Sequence, residues 1–408
     1  MSGPIAGYPG GSKSFQRVAN LALVMNIIRR EQPMSRTSIA RRLGLDRSTI
    51  THITSRLLDE GCVRVDSEGD ATKRGGRRPT LLAINPDWGY TLGIDLTPGD
   101  CRAVAMNLSG DLLWSGGDPL SGYADNPSRA VLAAVSRLLR SAEASVQAAS
   151  RKVSRSPALL GLGIAVPGVV EPATGRVIHS RALGLDEYDL LTRVTERTGL
   201  PTIVENDARC CAYGELMGDH ESFLFVLGRF QPEVGAEHRL LKRSGMGVGI
   251  GLAIDGRVHT GAHHAAGEFR SIHWKSGYPG QLGLEPDVLP RLQTDSTVLR
   301  RVIAEVMANL IPVISVVDPS AVVLGGEFRR HISVVETVLS GELAGSFAAN
   351  ETATWEFRSS RHGDSEVAAG AAWMFIERLF SVPLPAGATA DAEWDRVFQR
   401  AAVAERSA

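Results

Sequence analysis

Arg47, Ser48, Thr49, Thr51 and His52 bring a guanidinium, hydroxyls and an imidazole into one short stretch of the chain. If that stretch is helical, residues 47, 48, 51 and 52 fall on one side, because positions three and four apart are neighbours on a helix surface. Arginine presents two donors that match the O6 and N7 acceptors of guanine, and a Ser or Thr hydroxyl reaches base edges or phosphates. This is the chemistry of a helix laid in the major groove of DNA. Ser55 and Arg56 extend the same face. A second set of cations, Lys73, Arg74, Arg77 and Arg78, lies in the polar loop DSEGDATKRGGRRP at 66–79. Its glycines let the backbone approach closely, and its arginines suit the negative potential of a narrow minor groove.

The flanking sequence supplies elements that would hold these side chains. Val18, Leu21, Met25 and Ile28 recur at helical spacing, and Gln32-Pro33 ends that helix. Ser35 is placed to cap a second helix with Ile39 and Leu43 inward, and Gly44-Leu45 makes a tight turn. Asp46 is placed to cap a third helix with Ile50, Ile53, Leu57 and Leu58 inward, and Gly61 stops it. Two short strands, Cys62–Val65 and Thr80–Ile84, bracket the basic loop. The pattern predicts a winged helix-turn-helix over 15–86, behind a Gly-, Ser- and Pro-rich arm at 1–14.

Charge is divided in the same way. The 408 residues carry 44 Lys and Arg against 45 Asp and Glu, yet residues 1–85 hold 14 of the former and 7 of the latter. A basic module on an acidic body is the electrostatic footprint of a nucleic-acid partner. The apolar content of 43% fits a chain with a sizeable core, and no apolar run is long enough to cross a membrane. The first residues lack the pattern of a signal peptide, so the expected compartment is the cytoplasm. Cys62, Cys101, Cys210 and Cys211 form no CxxC, which argues against a disulfide framework or a cysteine-rich metal site.

After Pro86 strands alternate with helices. Strands are predicted at Tyr90–Leu96, Arg102–Leu108 and Leu112–Trp114, a helix over 128–149, and a strand at Leu159–Val166. There follow a strand at Thr202–Val204, a helix from Ala208 to Met217, and strands at Phe223–Leu227 and Val248–Ile254. A helix over 296–316, a strand at Ala321–Leu324 and a closing helix at Glu366–Phe380 complete the α/β pattern. Its two strand sets predict two related lobes with a ligand cleft between them.

Seven segments resemble the ROK family (repressors, open reading frames and kinases), in its transcriptional-repressor branch. They are GIDL at 93–96, GIAVPGVVEPATG at 163–175, ENDA at 205–208 with GE at 214–215, GMGVGIGLAIDG at 245–256, AAGEF at 265–269, DPSAVVLGG at 318–326 and SEVAAGAAW at 365–373. The resemblance implies a two-lobed actin-like ATPase or sugar-kinase fold, RNase H-like, over 87–382, with a tail at 383–408. It also implies that Asp207 corresponds to the base that takes a proton from a sugar hydroxyl, that Asn206 reaches ring hydroxyls and that Glu268 accepts bonds from them.

The chain departs from the family's kinases at several points. The first phosphate loop reads DLTPGD at 95–100: Asp95 is kept, but Thr97-Pro98 replaces a glycine pair, and proline removes an N–H donor. The second loop keeps its glycines but has Met246 at the usual threonine. The zinc pattern is absent, with Ser271 at its histidine and no cysteine following, and Ala182 replaces an asparagine that often reaches the sugar. Arg270, Ser271 and His273 are the candidates to compensate at the ligand site, and the altered contacts leave an unusual sugar, a sugar phosphate or no ligand open. The stretch Arg229–Ser244 is an added feature that covers the cleft, contacts a partner or is disordered.

The sequence therefore predicts a DNA-binding regulator, a repressor, whose kinase-like body has no catalytic residue, cofactor or metal. Its expected partners are double-stranded operator DNA, a sugar or sugar derivative, and further copies of itself in a dimer or tetramer. The alternative is an ATP-dependent sugar kinase fused to a DNA-binding module. If Arg47 reads a base, Arg47→Ala should weaken cognate DNA binding by roughly 1–3 kcal/mol, measured by fluorescence anisotropy against a duplex carrying the selected site.

Overall fold

The computed structural model describes residues 13–381 apart from 70–77, 121, 123–124, 151–156, 217–221, 232–244, 279, 286, 289–290 and 348–354. The expectations for the arm, the tail, Lys73, Arg74, Arg77 and most of the 229–244 stretch fall outside the described residues.

The N-terminal module comprises α1 (Lys13–Glu31), β1 (Met34–Ser35), α2 (Arg36–Leu43), α3 (Arg47–Asp59), β2 (Val63–Glu68) and β3 (Thr80–Ile84). Strand β3 pairs antiparallel with both β1 and β2, which builds the wing. Ser35 caps α2 by accepting from the Ser38 N–H at 3.1 Å. Asp46 stands at the N-cap of α3 but makes no side-chain cap bond, contrary to expectation. Val18, Leu21, Met25, Ile28, Ile39, Ile50, Ile53 and Leu57 are buried, while Leu43 and Leu58 are only half-buried.

The first lobe runs β4 (Gly89–Asp95), β5 (Cys101–Asn107), β6 (Leu112–Asp118), α4 (Pro127–Ser150) and β7 (Ala158–Val166). A small antiparallel sheet follows, β8 (Val169–Glu171), β9 (Arg176–Ser180) and β10 (Leu185–Asp189), which the sequence reading did not contain. Then come α5 (Leu190–Thr198), β11 (Thr202–Asn206) and α6 (Asp207–Glu215). The second lobe comprises β12 (Phe223–Gln231), β13 (Gly245–Ile254), β14 (Arg257–Val258), α7 (Ser296–Val317), β15 (Ala321–Gly326), α8 (Glu327–Arg330), α9 (Ile332–Ser340), β16 (Glu356–Ser359) and α10 (Glu366–Phe380).

The two main sheets have the same strand order. In the first it is β11-β7-β4-β5-β6, and in the second β14-β13-β12-β15-β16. Each consists of an antiparallel triplet extended by two parallel strands. Each lobe's last helix packs on the other lobe's sheet: α6 lies on β12 and β13, and α10 on β4, β5 and β7. The two helices also pack on each other.

Helix α10 joins the body to the N-terminal module as well. One apolar core runs from α1 and α3 through Trp88, Val104 and Met106 to Trp373, Phe375 and Phe380. Arg29 of α1 lies over the rings of Trp373 and Phe380, at 5.2 and 5.3 Å from their centroids, and its Nη2 is 2.7 Å from the Glu377 carboxylate. Cation–π contact and charge pairing thus act on one arginine whose side chain is 10% exposed. Asn26 Nδ2 donates to the Phe380 carbonyl, and Trp88 Nε1 to the Glu60 carbonyl. The boundary read at Pro86 is therefore a turn within a continuous core.

The packing of α10 on β7 leaves no room at Gly163, where an added β-carbon would sit 1.9 Å from the Ala371 carbonyl oxygen. Overpacking of this kind forces backbone to move. Gly163→Ala should lower stability by about 1–3 kcal/mol or more, read from urea unfolding followed by circular dichroism.

Candidate functional site

The cleft between the lobes collects its polar side chains from β4, α6, β12 and the loop at 263–268. Asn206 is the N-cap of α6; its Oδ1 accepts from the Arg209 N–H at 3.0 Å and its Nδ2 donates to the Gly168 carbonyl. Asp207 is the first helical residue rather than the cap, and its Oδ1 accepts from the Ala208 N–H at 2.9 Å. Gly249 of β13 forms an isolated bridge with Glu268. A β-carbon there would lie 2.9 Å from Ala208 Cβ and 3.9 Å from Asp207 Oδ1, so a bare backbone brings the Glu268 loop beside the start of α6.

Arg209 of α6, four residues after the buried Glu205 at the end of β11, holds this arrangement together. Its Nη2 lies 2.6 Å from Glu205 Oε1, and both side chains are 2% exposed. Its other donors reach the carbonyls of His264, Ala266 and Val170. One guanidinium thus ties α6 to the loop that carries Glu268 and to β8. A buried charge needs this degree of satisfaction. Sequence reasoning missed Arg209, although its i, i+4 spacing from Glu205 was visible in ENDAR.

It also missed Arg229. This residue projects from β12 in the second lobe to Asp95 at the end of β4 in the first. Its Nη1 donates to Asp95 Oδ1 at 3.1 Å, and its Nη2 to Asp95 Oδ2 at 2.6 Å. Nη1 also reaches the Thr97 hydroxyl, which itself donates to Asp95 Oδ1 at 3.0 Å. The one aspartate retained from the phosphate loop is therefore occupied by a cation of the protein itself. Burial opposes charge on Arg229, but Asp95 and Asp207 outweigh it and push the guanidinium pKa up. Burial raises the Asp207 carboxyl to about 6, with Asp95 and Glu268 adding to the rise and Arg229 opposing it. Burial also raises Glu268, against the pull of Arg209 and His179.

Glu268 is brought beside the start of α6 through its bridge to Gly249, while Ser271 and His273 make their hydrogen bonds elsewhere. Ser271 is buried, and its hydroxyl accepts from the His273 N–H and from Asn309 Nδ2 of α7. His273 is exposed, and among the described residues no contact connects either residue with Asn206, Asp207 or Glu268. Arg270 lies over Trp274, 4.4 Å from the ring centroid. The Ser271 hydroxyl is thus shared between its own turn and Asn309 of α7.

On the DNA module Arg47, Ser48, Thr51 and His52 are exposed on one side of α3, and Thr49, Ser55 and Arg56 are partly covered. The Thr51 hydroxyl donates to the Arg47 carbonyl at 2.8 Å, so in this rotamer it faces outward as an acceptor. Arg78 is exposed at the base of the wing, beside the strands.

The sequence pattern of the ROK family matches residues 135–274, and that of the MarR family residues 20–70. The xylose repressor of Caldicellulosiruptor bescii is 28% identical over 260 residues, 63% of this chain and 59% of that protein. The DNA-binding transcriptional dual regulator NagC of Escherichia coli K12 is 24% identical over 269 residues, 65% of this chain and 61% of NagC. The match thus spans about three fifths of the relatives' length. The crystal structure of a ROK family transcriptional regulator, a homolog of the E. coli MLC protein, superposes with a TM-score of 0.68 at 20% identity, covering 94% of this chain and 100% of that one. A ROK family glucokinase from Streptomyces griseus, in complex with glucose and AMPPNP, gives 0.51 at 19% identity, covering 70% and 99%. No helix among the described residues is long and apolar enough to cross a membrane.

The raised Asp207 carboxyl has a consequence for stability. Its folded pKa of about 6 lies above the unfolded value of about 3.9, so the folded state binds the proton more tightly. The associated stability is fully present below the unfolded value and is lost as pH rises through about 6. Asp207→Asn should therefore raise stability at about pH 7.5, by on the order of 2 kcal/mol, and by much less near pH 4. Calorimetric melts at the two pH values test the sign.

Proposed function

We propose that the chain, whose residues 135–274 match the ROK family and 20–70 the MarR family, is a transcriptional repressor whose kinase-like body senses a sugar. Residues 15–86 read operator DNA, and residues 87–382 form the sensor. The observation that carries the reading is the exposed row Arg47, Ser48, Thr51 and His52 on a helix whose module shares one core with the cleft-bearing body. Arg47 and the acceptor side of Thr51 address base edges, and Arg78 with Arg77 addresses the backbone or minor groove beside the wing. In the cleft, Asn206, Asp207 and Glu268 bind the effector. Relatives named for xylose and N-acetylglucosamine support a sugar as its class.

A sugar kinase needs Asp95 and its loop for nucleotide phosphates and metal. Arg229 already holds that carboxylate, which counts against phosphoryl transfer. Two copies, each presenting α3 to one half-site, would read a roughly palindromic operator in the cytoplasm. An effector with unequal affinity for the two lobe arrangements would shift the spacing of the two recognition helices.

Selection of bound duplexes from a random pool, with and without candidate sugars, should return a two-fold-related motif whose retention changes with one sugar. Failure to enrich any motif would overturn the reading. If about five phosphates are neutralised, log affinity should fall with log salt at a slope near −4.5, measured by anisotropy titrations over a salt series.

A further inference from the structure

We infer that Arg229 is a ligand-contacting, specificity-determining residue that converts the former nucleotide half of the cleft into part of a site for an unphosphorylated polyhydroxy compound. The inference rests on the reading of the cleft as a sensor and goes beyond it by naming the residue and the ligand chemistry.

Guanidinium geometry carries the argument. Arginine has five N–H donors in a rigid plane. Arg229 uses one from each Nη as an end-on pair to Asp95, and a further Nη1 donor on the Thr97 hydroxyl. Among the described residues, no acceptor is taken by Nε or by the second N–H of Nη2. The Arg229 side chain is 24% exposed, whereas that of Asp95 is 7% exposed. The unused donors form the side-on fork of the guanidinium, fixed in direction by the Asp95 pair.

The neighbouring charges select what that fork can receive. Asp207 lies close enough to feel both Arg229 and Asp95, and Glu268 adds a third carboxylate. The cation is already paired, so the cleft around the fork carries an excess of negative charge. A phosphate brought there would meet uncompensated carboxylates. A hydroxyl has no such penalty: its oxygen accepts from the fork while its hydrogen is donated to Asp207. Adjacent hydroxyls of a sugar suit a pair of donors beside an acceptor. The same arrangement denies a nucleotide its cation, because Arg229 already occupies Asp95.

The test uses the full chain and named probes. Thermal unfolding is followed with magnesium AMPPNP, with D-glucose 6-phosphate, and with D-xylose, D-glucose and N-acetyl-D-glucosamine. The expected result is no shift with either phosphorylated probe and a raised Tm with at least one uncharged sugar. Arg229→Lys keeps the charge beside Asp95 but loses the planar fork. It should lower the melting temperature of the free protein, because the bidentate pair to Asp95 is lost, and weaken the responding sugar by about tenfold or more. Arg229→Met should weaken it at least as much. Stabilisation by a phosphorylated probe, or equal sugar affinity in a folded Arg229→Lys protein, overturns this inference and leaves the sensor reading standing. No response to any of the five probes counts against both.

Discussion

Helix α10 is held without slack between three surfaces. At Gly163 the backbone of β7 comes so near to Ala371 that no side chain fits between them. On another side α10 packs against α6, which begins with Asp207 at the cleft. At its C-terminal end it receives Arg29 of α1 between Trp373, Phe380 and Glu377. Close-packed interiors transmit displacement rather than absorb it. The N-terminal module thus shares its packing with the first lobe's sheet through α10, whose own first residue, Glu366, is bonded to Gly326 and Ser360 of the second lobe.

The exchange of terminal helices between lobes explains why the cleft residues lie where they do. Because α6 leaves the first lobe's sheet and packs on the second, its N-terminus stands between the two. Arg209 then fastens that terminus to the 264–266 loop, and the bare backbone at Gly249 lets Glu268 approach. Arg229 crosses in the opposite direction, from β12 to Asp95. Two arginines therefore span the cleft, one tying α6 to the 264–266 loop and one pairing with Asp95 at the end of β4.

The sequence by itself determined whatever depends on neighbours along the chain. Helix faces followed from the spacing of Val18, Leu21, Met25 and Ile28, the cap of α2 from Ser35, and the outward face of α3 from the residues left between its apolar positions. These are legible because helical periodicity and capping act within four residues. The alternation of strands and helices likewise gave the two lobes. Only the tertiary structure decided how far the DNA module is merged with the body, because Arg29 and Glu377 lie 348 positions apart. Only it showed that Ser271 is bonded to Asn309, 38 positions away, and that Arg229 pairs with Asp95, 134 positions away. A charged side chain's partner is fixed by burial and by where folding brings two distant backbones together, and neither leaves a periodic trace in the sequence.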